Sequence, residues 1–442
     1  MNEKIGFISL GCPKNQVDSE LMIKKLSDAG YNMIDTPFGA DIVIINTCGF
    51  IEAAKQEAID NILEMGQYKE DGEVGKIIVI GCMAERYKDE ILKEMPEVDA
   101  VAGLGINENI VEFVNSVVND GKKSEYPVKT SLPLSGERIL TTPSHWAYLK
   151  ISDGCSNCCS FCAIPLIRGP FRSRKIEDIV SEAKNLAENG VRELIVIAQD
   201  TTRYGLDIYG ELKLPALLSE LSKIEKLHWI RLLYCYPDRI TDELLTVMRD
   251  NDKILNYIDL PLQHASGRLL KSMNRTGDRQ SLTALIEKIR SYMPNCVLRT
   301  TFITGFPGET DGDFDELSEF IDDIRFERLG CFAFSPEEGT KAFEMENQVD
   351  PELAAHRGEV LMEQQYSIFT QKQVSLIGQI LECVVEDYDG YSDSYSGRTW
   401  MDAPEIDSEI RFISAKELNI GDFVKVKITD TNDYDLLGEA VR

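Results

Sequence analysis

Residues 146–162 read WAYLKISDGCSNCCSFC. The stretch opens on a short apolar run, Ala147–Ile151, with the length and continuity of a strand covered on both faces. It then turns through Asp153 and Gly154 into a loop carrying Cys155, Cys159 and Cys162 in the spacing C-x-x-x-C-x-x-C. Three thiolates on one loop can hold three corners of a cubane iron–sulfur cluster and leave one iron without a protein ligand. Such an open iron is useful only where a substrate or cofactor binds it. Two plainer readings compete. A structural zinc site needs four ligands, and Cys158 could be the fourth, although adjacent Cys158 and Cys159 would crowd a tetrahedron. Alternatively, the cysteines carry no ligand at all.

Downstream, strand and helix patterns alternate to about Ser335. Further candidate strands are Glu193–Ala198, Trp229–Leu233, Tyr257–Leu262, Val297–Ile303 and Leu329–Phe334. The clearest helix between them places Ile176, Ile179, Val180, Ala183, Leu186 and Ala187 on one face, with Gly190 as its stop. Six βα units are too few for a closed eightfold barrel. They predict a partial (βα)6 barrel over 145–350, with its site at the strand C-terminal ends. A long helix is expected from Pro351 to about Val374. Over 375–442 the runs Ile380–Val385, Arg411–Ile413 and Phe423–Ile428, split by Asp, Gly and Ser, predict a small five-stranded antiparallel barrel.

Upstream, residues 1–120 hold the continuous apolar runs Ile5–Leu10, Ile42–Ile45, Ile77–Ile80 and Val98–Ala102. Helical spacings lie between them at Ser19–Ala29, Ile51–Met65 and Ala84–Met95. This predicts a doubly wound α/β domain. Residues 121–144, with three prolines and no helical period, read as a linker. Three more cysteines fall just after the N-terminal runs: Cys12 in SLGCPKN, Cys48 in INTCGF and Cys82 in VIGCMAE. Successive strands of a parallel sheet end on one edge, so the three should converge. They are read as ligands of a second cluster, again one thiolate short of four. Singly, each would read as a buried structural thiol. Cys158, Cys235, Cys296, Cys331 and Cys383 are read as structural. The glycine hint GLGIN at 103–107 is an incomplete nucleotide-binding fingerprint.

Composition narrows the classes. Apolar residues are 43% of the 442 and charged ones 28%, which excludes a wholly disordered chain. With 75 acidic against 47 basic residues and a net charge of −28, the chain does not read as a generic polyanion binder. No apolar stretch approaches the roughly 20 residues that span a bilayer. The opening MNEKIGFISLG is too short in its apolar part for a secretory signal, so a cytoplasmic protein without disulfides is expected. Arg168, Arg172, Arg174 and Lys175 follow the cysteine loop. A solvated surface is their default reading, with contacts to a cofactor's carboxylate or to substrate as the alternative.

The loop DGCSNCCSFC, with Phe161 inside its last step, resembles the signature of the radical S-adenosylmethionine superfamily. That resemblance implies the partial barrel, a [4Fe-4S] cluster on Cys155, Cys159 and Cys162 that binds S-adenosylmethionine, and a position for Phe161 near the adenine. Two cysteine trios on two domains, with DLPLQHASGRLLKSMNR (259–275) and TTFITGFPGET (300–310), resemble the methylthiotransferases. The C-terminal segment then resembles a TRAM domain, and Cys12, Cys48 and Cys82 become ligands of an auxiliary [4Fe-4S] cluster. Cys158 departs from the family's pattern, which more often has a non-thiol there.

SLGCPKN and IAQDTTRYG (197–205) resemble the ribosomal-protein branch, the RimO type. Members acting on tRNA adenosines (the MiaB type) usually carry Gln-Met-Asn after the first cysteine. This branch implies methylthiolation of an aspartate β-carbon in small-subunit ribosomal protein number twelve, free or within the subunit. It also implies two S-adenosylmethionine molecules per product, an electron donor and a sulfur donor, without specific nucleic-acid binding or membrane contact. The last 68 residues carry 15 acidic and six basic residues, which suits a basic protein partner better than tRNA. The rival readings are a tRNA methylthiotransferase and a non-catalytic iron–sulfur protein that binds ribosomes.

Overall fold

The apolar runs become strands where helices or loops cover both their faces, as at Ile42–Ile45 and Ile77–Ile80, in which every residue is buried. This is seen in a computed structural model that describes residues 3–441; the outermost limits expected above, 1 and 442, lie outside the described residues. In the N-terminal region the strands are β1 (Lys4–Ser9), β2 (Asn32–Ile34), β3 (Ala40–Thr47), β4 (Val74–Gly81), β5 (Ala100–Ala102) and β6 (Ser124–Glu125). All pair in parallel, in the order β2-β1-β3-β4-β5-β6. Helices α1 (Pro13–Asp28) and α5 (Ile110–Asn119) cover one face through Met22, Leu26 and Phe113. Helices α2 (Glu52–Glu70), α3 (Cys82–Tyr87) and α4 (Asp89–Glu94) cover the other through Ile62, Met65 and Ile91. The sheet is thus doubly wound.

Two details differ from the sequence reading, and a third agrees with it. The single helix expected over Ala84–Met95 is two, broken at Lys88, whose φ of 47° is left-handed and cannot continue an α-helix. Residues 124–125 of the expected linker pair with β5 as an edge strand. The glycines of GLGIN serve chain packing: a Cβ on Gly105 would stand 2.8 Å from the carbonyl oxygens of Pro127 and Val128.

The central strands are β7 (Trp146–Lys150), β10 (Glu193–Ile197), β11 (Trp229–Leu232), β12 (Ile254–Asp259), β13 (Val297–Thr304) and β14 (Arg328–Ala333). They form one parallel sheet in the order β14-β13-β12-β11-β10-β7, curved as a partial barrel. A two-stranded hairpin, β8 (Ser152–Asp153) with β9 (Arg172–Ser173), brackets the cysteine loop and α6 (Ile164–Arg168). The outer layer contains α7 (Ile176–Glu188), α8 (Leu206–Tyr209), α9 (Leu214–Ser222), α10 (Asp242–Arg249), α11 (Gly267–Ser272), α12 (Arg279–Tyr292) and α13 (Asp311–Ile324). Helix α14 (Pro351–Val374) then leads to the C-terminal domain.

There β15 (Ile380–Asp389), β16 (Ser394–Thr399), β17 (Ile410–Ile413), β18 (Phe423–Asn432) and β19 (Asp435–Ala440) close into a barrel. It is not wholly antiparallel, because β17 and β19 pair in parallel. The segment 400–407 enters the base of the central barrel. Tyr148 donates to Glu405 at 3.0 Å, Tyr257 to Asp407 at 2.6 Å and Arg231 to the Trp400 carbonyl at 3.0 Å. The open end of the strands, opposite, is left to the cysteines. Among the described residues no helix is long and apolar enough to cross a membrane.

Candidate active site

Each predicted cysteine follows a strand, and the strand fixes where it points. Cys12 follows β1 and precedes α1, Cys48 follows β3, and Cys82 opens α3 directly after β4. Their loops are tight. Gly11 has φ 89°, and a Cβ there would lie 2.6 Å from Cys48 Cβ, so only glycine lets the first loop approach the second. Cys155, Cys159 and Cys162 lie on the loop between β8 and α6.

All six, with Phe161, line one cavity of about 300 Å³ between the N-terminal domain and the C-terminal ends of the central strands. Within each trio the thiols feel one another. Burial pushes Cys82 up to about 12, and Cys48 and Cys12 reinforce the rise. Burial likewise raises Cys48 and Cys155, each to about 11, and raises Cys162, with Cys159 and Cys155 adding to the last. Thiols held this protonated are deprotonated by a metal centre that binds them. Cys158 is exposed. Cys235, read as structural, is buried and lines the same cavity.

Among the described residues no three His, Cys, Asp or Glu side chains converge closely enough for a single metal ion. A mononuclear tetrahedral thiolate site would bring sulfurs to about 4 Å of one another. These trios instead stand around a shared space. Two sets of three soft donors, each lacking a fourth, fit two cubane clusters with one open iron apiece.

What faces the two domains toward each other is a buried ionic knot. Asp18 on α1 takes Arg168 at 2.9 Å and also Lys150 at the end of β7. Asp153 takes Arg168 at 2.8 Å and Lys150 at 3.1 Å. Burial alone would raise Asp153, but Arg168 and Lys150 outweigh it and hold its carboxyl below the usual range. Across the interface Arg86 also pairs with Glu337 at 2.7 Å. The default reading of Arg168 and Arg174 as solvated is therefore wrong. Both are buried: Arg168 is paired with Asp18 from the other domain, and Arg174 with the nearby Glu182 at 2.6 Å.

Sequence reasoning did not single out Lys14, Gln199, Tyr234 or Arg275, which also line the cavity. Lys14 and Gln199 sit inside motifs already quoted, SLGCPKN and IAQDTTRYG. Lys14 is 5% exposed, and burial lowers its pKa to about 8 against the opposing pull of Cys12.

Residues 4–103 match the uncharacterized protein family UPF0004, residues 149–321 the radical SAM superfamily and residues 377–441 the TRAM domain. The chain is 50% identical over 439 residues to a protein of Desulforamulus reducens named ribosomal protein uS12 methylthiotransferase RimO, covering 98% of this chain and 99% of that one. It is 51% identical over 437 residues to one of the same name from Caldanaerobacter subterraneus, covering 98% and 99%. In fold it is similar to a cobalamin- and [4Fe-4S]-bound radical S-adenosylmethionine methyltransferase, TsrM, from Kitasatospora setae. The TM-score is 0.57 at 14% identity, with 77% of each chain covered. It is also similar to the cobalamin-dependent radical enzyme OxsB, at a TM-score of 0.51 and 13% identity, covering 83% of this chain and 57% of that one.

Proposed function

The chain belongs to the ribosomal protein uS12 methylthiotransferase family, and on that premise we propose that it methylthiolates the β-carbon of an aspartate in ribosomal protein uS12. Turnover consumes two molecules of S-adenosylmethionine, one as methyl donor and one as radical source. The observation that carries this reading is the meeting of six cysteines, three from each of two domains, in one cavity.

Cys155, Cys159 and Cys162 would hold the [4Fe-4S] cluster that takes S-adenosylmethionine, and Cys12, Cys48 and Cys82 an auxiliary [4Fe-4S] cluster. When bound, these groups supply the one-electron chemistry that an unactivated C–H bond demands and general-base catalysis at neutral pH does not provide. The protein orients and encloses. Phe161 offers an aromatic wall for the adenine. Arg275 stands 3.8 Å from Cys159 Sγ, and Arg168 stands 3.8 Å from Cys82 Sγ, each placing positive charge beside one trio. The reaction also needs an electron donor and a sulfur donor, and it belongs in the cytoplasm, where its ribosomal substrate is made.

The C-terminal barrel favours a basic protein over tRNA. Glu382, Glu386, Asp402, Glu405 and Asp407 are engaged by the central barrel. Asp387, Asp389 and Glu417 remain exposed, and a tRNA grip would need the opposite sign. The test is anaerobic, cluster-reconstituted protein with S-adenosylmethionine, a low-potential reductant and uS12. Formation of 5′-deoxyadenosine with a methylthio mass increment on one aspartate is expected. Absence of both rejects the reading, and methylthio-adenosine formed on tRNA instead would move the protein to the tRNA-modifying branch.

A further inference from the structure

Three basic side chains face the cavity, and two already have partners. Arg168 is held by Asp18 and Asp153. Arg275 donates to the Pro261 carbonyl at 2.6 Å and lies over the Tyr236 ring at 4.3 Å. Lys14 differs. It is 5% exposed, its ammonium lies 2.8 Å from the centroid of the Tyr234 ring, and among the described residues no hydrogen bond or ion pair engages it. A tyrosine face offsets part of the cost of burying a cation, but it supplies no hydrogen-bond acceptor.

A second group lacks partners in the same cavity. Gln199, two residues beyond β10, has both its amide nitrogen and its amide oxygen buried with no hydrogen bond. Buried polar atoms of a folded protein are nearly always paired, so a buried unpaired amide and an unengaged ammonium facing one space point to a ligand from outside the chain. An ammonium with three donors and an amide with two suit a carboxylate.

We propose that Lys14, assisted by Gln199, binds the side-chain carboxylate of the aspartate that is modified, and thereby selects an acidic residue. The proposal rests on the function proposed above and deepens it. Lys14 lies two residues from Cys12, on the side of the auxiliary trio. A carboxylate fixed there holds the adjacent β-carbon one bond away, and such positioning lets sulfur transfer compete with side reactions. The methionyl carboxylate of S-adenosylmethionine has the same chemistry, and the two sources behave differently on test.

Reconstituted wild type, Lys14→Met and Lys14→Arg are compared on a uS12 peptide carrying the target aspartate and on its asparagine counterpart. Three quantities are read: peptide affinity by calorimetry, 5′-deoxyadenosine formed without peptide, and bound iron. Wild type should prefer the aspartate peptide by about tenfold or more. Lys14→Met should bring that ratio close to one while bound iron is retained, and Lys14→Arg should restore part of it. An unaltered ratio in Lys14→Met, or no preference in wild type, overturns the proposal. Loss of peptide-independent cleavage with the ratio intact also overturns it and assigns Lys14 to the methionyl carboxylate. Should Lys14→Met not retain iron, Gln199→Leu is judged by the same ratio, which should fall. A wild type that discriminates between the peptides but never methylthiolates either would reject the functional reading while leaving the carboxylate site standing.

Discussion

Arg168 Nη2 stands 3.8 Å from Cys82 Sγ, joining the central barrel to the loop after β4 of the neighbouring domain. The same guanidinium reaches Asp18 and Asp153 and approaches Asn15 Oδ1 at 3.4 Å. One side chain therefore touches the first helix, the third N-terminal cysteine and the strand turn that starts the second cysteine loop. Arg168→Met would leave two fully buried carboxylates to Lys150 alone. The expected loss is about 3–5 kcal/mol of stability, read from denaturant unfolding. Arg168→Lys keeps the charge without the planar fork, and should lose less.

The cysteines divide by position, and iron content should follow the division. Cys158 is exposed at φ 53°, a left-handed conformation that asparagine adopts more readily. Cys158→Asn should retain full iron and sulfide. The triple change Cys12→Ala, Cys48→Ala and Cys82→Ala should remove about half the iron, as two four-iron centres require. Full iron in the triple variant would show that the N-terminal trio holds no cluster.

Glu193 opens β10 and sits between two buried arginines, Arg231 at 2.8 Å and Arg398 of the C-terminal barrel at 2.8 Å. Burial alone would raise its pKa, but the two guanidiniums outweigh it and hold the carboxyl below the usual range. Glu193→Gln preserves the shape and removes the charge that both cations face. A cost of about 3–5 kcal/mol is expected. Faster proteolytic cleavage around α14 should accompany it as the C-terminal barrel loosens, while peptide-independent cleavage of S-adenosylmethionine per folded molecule stays constant.

Most strands were legible because burial on both faces leaves continuous apolar runs, as in Ile42–Ile45 and Ile77–Ile80. The N-terminal trio was legible for a topological reason: parallel strands end on one edge, so residues just past them meet. Short edge strands were not legible. Asn32–Ile34 and Ser124–Glu125 are partly exposed and carry no run to detect. The burial of Arg168 was hidden because its partner Asp18 lies on another domain, and charge in a sequence defaults to surface. Lys14 and Gln199 were hidden because polar residues in a sequence default to solvent. Only the structure shows a polar side chain that is buried and left without a hydrogen-bond partner.

Helix α13 provides the pH test. Its N-cap Thr310 and its third residue Asp313 form a reciprocal capping box. Asp313 also accepts from Ser266 Oγ at 2.7 Å and from Arg268. Burial alone would raise its pKa, but these hydrogen bonds outweigh burial and hold the carboxyl at about 2, against 3.8 ordinarily. The carboxylate form is therefore favoured by folding. Its contribution is complete above about pH 4 and is lost as pH falls from there toward 2. With Arg268 more than half exposed, solvent screens that pair, and the net contribution is about 1–2 kcal/mol. Wild type should exceed Asp313→Asn by that amount in denaturant unfolding at pH 7, and the gap should narrow as pH is lowered from 4 to 3. A gap that stays constant over that range would mean that Asp313 acts through packing and hydrogen-bond shape alone, with no part played by its charge.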